Sequence, residues 1–184
     1  RFIVFMIEKY KHLLKLARDA IESKLNKKEL KVGEDIKKKF GVKQACFVTL
    51  TIDGELRGCI GSLYARQELW KDVVDNAINA GFSDYRFSAL SIEELSRIKI
   101  EISVLSVPQK LIFKDSEDLL RKIDTKMGII LMKGNYSATF LPQVWEQIDS
   151  KERFLQQLSL KAGLPKDAWK NSEIMFYRVE SVEE

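Results

Sequence analysis

Apolar residues recur at two different spacings along the chain, and each spacing predicts a different element. Helical spacing covers roughly residues 5–26 and 66–81, which indicates two amphipathic helices. Strict alternation of apolar and polar residues covers 97–106, which is typical of a strand with one buried face. The β-branched and apolar run at 45–52 predicts a further strand.

Two glycine-containing turns predict β-hairpins. Asp53-Gly54 is followed directly by ELRGCIG at 55–61, and this dipeptide favours the type I′ turn of a two-residue hairpin loop. Lys133-Gly134-Asn135 joins a second pair of strands, predicted at 127–132 and 136–140. Both hairpins imply antiparallel pairing of neighbouring strands.

A two-residue loop would also set the register of the first hairpin. Val48 would then face Cys59, and Cys46 would face Gly61, so that Cys46, Arg57 and Cys59 share one face of the sheet. The two thiols would be diagonal neighbours about 7–8 Å apart. That separation is too large for an unstrained disulfide.

Shorter signals complete the order of elements. They are a helical turn near 34–40, a short helix opened by a Ser91–Glu94 capping box, a short helix from a Ser116 cap to Lys122, a helix over 150–162 closed by Gly163, and a last strand over 173–179. The sequence therefore predicts an α+β fold, with an antiparallel β-sheet and flanking helices rather than a doubly wound parallel sheet.

Length and composition narrow the class of protein. The 184 residues correspond to one domain, which we assign to 1–184. Hydrophobic residues make up 45% and charged residues 32%, with only 3 prolines, which excludes a disordered or collagen-like chain. The 2 cysteines and 1 histidine exclude a Cys/His zinc site and a disulfide framework. We predict no metal and no cofactor.

Charge is distributed unevenly, with a net charge of +7 over residues 1–43 and of −3 over the remainder. A basic region can bind nucleic acid, although here no aromatic residues alternate with the lysines to stack bases. The apolar run Phe2–Ile7 is too short to span a membrane. Two unpaired-looking cysteines favour the cytoplasm. Residues 1–5 precede the clean helical pattern and are either a frayed end or an upstream extension.

The segment LRGCIG at 56–61 carries the strongest chemical signal. Gly58 and Gly61 weaken a strand interior, which indicates that backbone or a ligand approaches closely there. Arg57 and Cys59 are two positions apart, and a guanidinium beside a thiol favours the thiolate. Cys59 is therefore a candidate catalytic nucleophile, and a buried cysteine that serves only packing is the alternative.

Three other places hold candidate binding residues. Asp84 and Arg86 lie in a polar loop, where they would either orient a substrate or hold the loop in place. Glu101 lies on the polar side of its strand and is a candidate counter-ion for one of the arginines. Pro142 and Gln143 follow a strand, and the Gln143 amide can both donate and accept hydrogen bonds.

Five segments, in order, resemble the AMMECR domain family, whose name abbreviates Alport syndrome, midface hypoplasia and elliptocytosis chromosomal region. They are LRGCIG, DYRF, IEISVLS before Pro108, FLPQVW and the helix end KAGL. The resemblance runs from roughly residue 10 to residue 178. The chain departs from the commoner DPRF form, because Tyr85 replaces a proline and loosens the loop.

The resemblance implies a larger and a smaller subdomain packed across a cleft, in a soluble prokaryotic protein. It also implies partners, because many relatives are encoded beside a Memo-like protein and a radical-SAM protein in the AmmeMemoRadiSam set. It carries no established activity, so it transfers motif positions rather than catalytic roles. Those positions are Arg57, Gly58, Cys59, Gly61, Asp84, Arg86, Phe87, Glu101, Pro142 and Gln143.

Three functions fit these observations. The favoured one is a pocket-bearing protein that acts with the Memo-like and radical-SAM partners. In it Cys59 is the candidate reactive group, and arginines would hold an anionic or carbonyl group of a small molecule. A nucleic-acid-binding module and a non-catalytic scaffold for pathway proteins are the alternatives. The favoured function requires that Arg57, Cys59, Asp84 and Arg86 converge around one cavity that solvent can reach.

Overall fold

The computed structural model describes the backbone of residues 2–184 and the side chains from Glu8 onward. Arg1, part of the predicted frayed end or extension, lies outside the described residues. The helices are α1 (Phe2–Leu25), α2 (Glu34–Lys39), α3 (Leu69–Phe82), α4 (Ser116–Lys122) and α5 (Lys151–Lys161). The strands are β1 (Cys46–Ile52), β2 (Glu55–Gly61), β3 (Ile98–Leu105), β4 (Gln109–Lys110), β5 (Met127–Lys133), β6 (Tyr136–Phe140) and β7 (Glu173–Glu183).

The chain divides into two compact units. The first unit holds the residues up to Val107 together with Glu180–Glu184, and the second unit holds Pro108–Val179. Each unit has its own hydrophobic core. Strand β7 begins in the second unit, and its last residues belong to the first.

In the first unit, β1 is the middle of three antiparallel strands, with β2 on one side and β3 on the other. Alternate residues of β1, among them Val48 and Leu50, are fully buried in a core shared with α1 and α3. The intervening residue Thr49 is only partly buried and lies on the opposite face. The sheet therefore has one apolar face against the helices and one polar face.

The hairpin between β1 and β2 has the predicted turn but not the predicted register. Asp53 and Gly54 have φ values of 53° and 84°, as a type I′ turn requires. A β-bulge then leaves Arg57 as an extra residue, so that Cys59 pairs with Thr49 and not with Val48. The prediction that Cys46 shares a face with Cys59 is wrong, because one extra residue moves every later side chain to the other face.

In the second unit, β5 pairs with β6 on one side and with β7 on the other, and β4 adds two residues to β7. Stacked rings of Trp145 and Phe154, with centroids 3.6 Å apart, lie in its core. Short 3-10 helices, which the sequence analysis did not predict, cover Pro142–Glu146 and Ala168–Asn171. The predicted order of helices and hairpins, and with it the α+β fold class, is confirmed.

Two predicted helix starts need correction. The cap of α4 is Asp115, whose side chain accepts a hydrogen bond from the Asp118 N–H, and Ser116 is the first helical residue. Ser91 opens a series of turns over 92–97 instead of a regular helix. Half of its predicted capping box is present, because the Ser91 N–H donates to the Glu94 carboxylate at 2.9 Å. Within residues 2–184, no helix has the length and apolar character needed to cross a membrane.

Candidate functional site

A row of three polar side chains crosses the polar face of the first sheet. Thr49 on β1 pairs with Cys59 on β2 and with Glu101 on β3, so the three side chains lie side by side on one face. The Thr49 hydroxyl donates a hydrogen bond to the Cys59 sulfur at 3.3 Å. All three residues are partly exposed. We call this set the polar row.

The loop after α3 is fastened to the polar row by Asp84. This carboxylate is buried, and it accepts a hydrogen bond from the Cys59 backbone N–H at 2.9 Å. It also accepts from Nε and Nη2 of Arg86, at 3.0 and 2.7 Å. Hydrogen bonds from Arg86, and then from the Cys59 and Arg86 N–H groups, hold the pKa of Asp84 well below its usual range despite burial.

Arg86 joins the loop to strand β2 while keeping part of its guanidinium in solvent. Nη2 reaches the Cys59 carbonyl oxygen at 3.4 Å, and 43% of the side chain is exposed. The hydrogen bond to Asp84 is the main cause that raises the pKa of Arg86, and the charge of a Cys59 thiolate adds to it.

Arg57 makes its hydrogen bonds within the protein and, in contrast to Arg86, has a structural role. Its Nε and Nη2 donate to both oxygens of Glu94, at 2.7 and 3.0 Å, and Nη2 also reaches the Ser88 carbonyl oxygen at 3.0 Å. Only 12% of the Arg57 side chain is exposed. The centre of the Phe87 ring lies 5.6 Å from the guanidinium carbon of Arg86 and 5.8 Å from that of Arg57. Of the two predicted anion-binding arginines, Arg86 is the accessible one.

The prediction that Glu101 is the counter-ion of an arginine is wrong. Arg57 pairs with Glu94 and Arg86 pairs with Asp84, whereas Glu101 accepts a hydrogen bond from the Ser103 hydroxyl at 3.2 Å. The physical reason is distance, because β1 separates β3 from β2 and neighbouring strands are about 4.8 Å apart. Glu101 nevertheless belongs to the site as the carboxylate of the polar row.

The two glycines of LRGCIG have packing roles. A Cβ on Gly58 would overlap with the backbone carbonyl of Ala80 on α3, and a Cβ on Gly61 would overlap with the Phe47 ring. The close approach that the sequence predicted at these positions is therefore an approach of protein to protein. Gly58 allows strand β2 to lie directly against the helix that carries the Asp84 loop.

Cys46 lies away from the polar row, in the core of the first unit. Its N–H donates to Asp72 at 2.9 Å, and the Asn76 amide donates to its carbonyl at 3.2 Å. Burial, together with the charge of Asp72, raises the pKa of the Cys46 thiol far above its ordinary value. Cys46 is thus a structural cysteine and an internal reference for the behaviour of Cys59.

Pro142 and Gln143 belong to the second unit, whereas the other eight predicted positions belong to the first. Pro142 is the first residue of a 3-10 helix, and Gln143 is exposed. His12 is an exposed residue on α1. Among the side chains from Glu8 onward, no group of three or more His, Cys, Asp or Glu residues is arranged to hold a metal ion.

The lysines of the basic N-terminal region are in part paired with acids of their own helices. Lys11 contacts Glu8, Lys15 contacts Asp19 and Lys37 contacts Glu34, each at 2.6 Å. The rings of Tyr10 and Phe40 lie near lysines in this region, but both rings are buried. Nucleic-acid binding requires free positive charges and open aromatic rings. The ion pairs reduce the number of free charges here, and these two rings offer no open stacking surface.

Two important residues escaped the sequence analysis, namely Thr49 as a site residue and Glu94 as the partner of Arg57. Thr49 becomes visible only when the bulge at Arg57 is known, because the predicted register put Val48 opposite Cys59. Glu94 was assigned to a helix cap, and the structure shows that its carboxylate serves both Ser91 and Arg57. No signal in the sequence indicates this second role, because 37 positions separate Glu94 from Arg57.

The Arg57–Glu94 pair predicts an acid-dependent loss of stability. Hydrogen bonds from Arg57, then from the Ser91 N–H, lower the pKa of Glu94 from 4.5 to about 2 despite partial burial. A lowered carboxyl pKa contributes stability above the unfolded value and loses it as pH falls from 4.5 to about 2. We expect Glu94→Gln to flatten the fall in the free energy of unfolding over this range, measured by urea denaturation at several pH values. A fall as steep as in the parent protein would contradict the role given to Glu94.

Comparisons with known proteins agree on one family. The family model described as AMMECR1 matches residues 14–183. Protein NEQ441 of Nanoarchaeum equitans is 41% identical over 170 residues, which cover 90% of this chain and 94% of that protein. Protein Mbar_A1807 of Methanosarcina barkeri is 40% identical over 169 residues, which cover 88% of this chain and 83% of that protein. A crystal structure of the uncharacterized protein PH0010 from Pyrococcus horikoshii matches with a TM-score of 0.86 and 34% identity, covering 96% of this chain and 92% of that one.

Proposed function

The chain belongs to the AMMECR1 family, and from that premise we propose that it binds a small anionic or carbonyl-bearing molecule at the polar row and uses Cys59 as the reacting group. The observation that carries the proposal is the hydrogen bond from the Thr49 hydroxyl to the Cys59 sulfur at 3.3 Å. A donor aimed at sulfur stabilises the thiolate over the thiol, and the thiolate is the nucleophilic form.

Each neighbour of the sulfur has a distinct part in this proposal. Arg86 binds the negative charge of the ligand, because its Nη1 is not used in the hydrogen bonds to Asp84 and Cys59. Asp84 is a positioning residue, because it fixes both the backbone of Cys59 and the guanidinium of Arg86. Glu101, next to Thr49, is the carboxylate available for proton transfer.

The proposal extends to the cellular setting only through the family resemblance. Association with a Memo-like and a radical-SAM protein, and a cytoplasmic location, stay predictions. Co-purification of the full chain with each of these proteins is the experiment that bears on them. It is separate from the chemistry of Cys59, which needs no partner to be measured.

Alkylation of the two cysteines tests the proposal directly. We expect iodoacetamide at pH 7 to modify Cys59 in the folded protein and to leave the fully buried Cys46 unmodified until the protein is unfolded. Thr49→Val should slow alkylation of Cys59 about three- to tenfold, since a hydrogen bond to a charged group contributes about 1 kcal/mol or more. Mass spectrometry of the two cysteine peptides gives both rates.

Thr51→Val is the matched control, because Thr51 is the next residue of the same face of β1 but pairs with Leu56. It should leave the rate for Cys59 unchanged. A Cys59 that stays inert until unfolding would overturn the proposal, as would equal slowing by the two threonine variants.

A charged reagent separates the anion-binding role of Arg86 from the reactivity of the thiol. Iodoacetate carries a negative charge that iodoacetamide lacks. The rate of alkylation by iodoacetate divided by the rate by iodoacetamide therefore reports the positive charge beside the sulfur. We expect Arg86→Gln to lower this ratio and Arg86→Lys to preserve most of it. Arg97→Gln, which removes an exposed arginine paired with Asp53 in the hairpin turn, should leave the ratio unchanged.

A further inference from the structure

Tyr85, in the loop after α3, is the most exposed large apolar or aromatic side chain in the part of the chain that the structure describes. Its exposed fraction is 94%, whereas the Asp84 side chain before it is buried. A ring that is surrounded by water contributes almost nothing to a hydrophobic core. The fold therefore does not require an aromatic residue at this position.

The backbone on both sides of Tyr85 is held in a tight turn. The Phe87 N–H donates to the Asp84 carbonyl oxygen at 3.0 Å, and the Arg86 N–H donates to the Asp84 carboxylate at 3.2 Å. The second bond is that of an Asx turn, in which an aspartate binds the backbone two residues further on. Because the turn is already ordered, a molecule that contacts the Tyr85 ring costs little further entropy of the chain.

The same turn lies against Cys59. The Asp84 carboxylate accepts a hydrogen bond from the Cys59 N–H at 2.9 Å, and the Arg86 guanidinium donates to the Cys59 carbonyl oxygen at 3.4 Å. Strand β2 is the outermost strand of its sheet, so these two residues occupy the place of a neighbouring strand at Cys59. Tyr85 stands between them in the chain and is therefore held beside the residue that carries the sulfur.

We propose that Tyr85 determines the specificity of the Cys59 site by stacking on a flat aromatic ring of the ligand, while Arg86 binds the ligand's anionic or carbonyl group. The inference rests on the proposed function, because it concerns the ligand of the same site. Aromatic faces attract each other in stacked arrangements, and a tyrosine side chain loses little conformational entropy when a ligand covers it. The class of ligand is thus a small aromatic acid or aromatic carbonyl compound.

Two neutral alkylating reagents of similar size test this specificity on the full chain. Iodoacetanilide carries a flat phenyl ring, whereas N-cyclohexyl iodoacetamide carries a saturated ring that cannot stack in the same way. The rate of alkylation of Cys59 by the first reagent divided by the rate by the second reports recognition of the aromatic ring. We expect Tyr85→Leu, which keeps an apolar side chain, to lower this quotient about two- to tenfold relative to the parent protein. Mass spectrometry of the Cys59 peptide gives both rates.

Tyr85→Phe is the matched control, because it keeps the ring and loses only the hydroxyl. It should preserve the quotient, and because Tyr85 is exposed, circular dichroism should show both variants folded like the parent protein. An unchanged quotient in Tyr85→Leu, or an equal fall in the two variants, would overturn the role of the ring and leave the reactivity of Cys59 standing. A Cys59 that reacts with neither reagent before unfolding would overturn the proposed function, and this inference with it.

Discussion

Replacing Gly58 with alanine is expected to lower the free energy of unfolding by about 3 kcal/mol, the upper part of the usual range for overpacking a core. The added Cβ would overlap with the carbonyl oxygen of Ala80, which is backbone and cannot rotate away. Strand β2 would have to move away from α3, and the buried contacts between them would be lost. Urea denaturation followed by circular dichroism measures the change.

Gly81→Ala is the matched control for this prediction, because Gly81 is the next residue of α3 after Ala80. A Cβ at Gly81 would meet Leu50 and Leu90 at 3.8 Å, an ordinary van der Waals distance. Alanine is also favoured over glycine within a helix, by up to about 1 kcal/mol. We expect this variant to be neutral or more stable. A Gly58→Ala protein as stable as Gly81→Ala would show that β2 does not depend on close contact with α3.

Asp84→Ala is expected to cost about 3 kcal/mol of stability and to loosen the loop that carries Arg86. The change removes the acceptor for the Cys59 and Arg86 N–H groups as well as the partner of the Arg86 guanidinium. Leaving buried polar groups without partners typically costs about 1–3 kcal/mol each. Because Arg86 is 43% exposed, water takes over part of its solvation, and the loss stays below that of a fully buried ion pair.

The control is Asp19→Ala, which breaks an exposed pair between Lys15 and Asp19 on α1. An exposed pair of this kind contributes little to stability because water already solvates both charges, so the variant should remain close to the parent protein. Denaturation curves of both variants give the comparison. If Asp84→Ala lost no more stability than Asp19→Ala, the assignment of Asp84 as the anchor of the loop would be wrong.

Most of the first unit could be predicted from the sequence, because its elements are encoded locally. Alternation predicted β3 at 97–106, where the strand covers Ile98–Leu105, and Asp53-Gly54 predicted the turn before β2. Both signals depend on neighbouring residues only. The second hairpin was predicted by the same logic, and Gly134 has the positive φ of 60° that its turn needs.

The candidate site was harder to predict, because its contacts depend on long-range geometry. A bulge leaves no clear mark on alternation, and so the pairing of Cys59 with Thr49 could not be read from residue order. The partners of charged residues were equally hidden, because Arg57 and Glu94 are separated by 37 positions. The favoured function required Arg57, Cys59, Asp84 and Arg86 to converge around one cavity that solvent can reach. Hydrogen bonds bring Cys59, Asp84 and Arg86 together, whereas Arg57 pairs with Glu94, and the cavity stays a prediction.

The extra residue at Arg57 determines which face of the sheet the later side chains of β2 occupy. Without it, the pleat would carry the sulfur of position 59 towards the helices, where Cys46 already lies among apolar side chains. Deleting the single codon for Arg57, with every other residue kept, would therefore move each later side chain of β2 to the opposite face of the sheet. Homologous chains of different length in this strand should accordingly be aligned by which residues face the helices. Matching sequence letters alone would pair a partly exposed residue with a buried one.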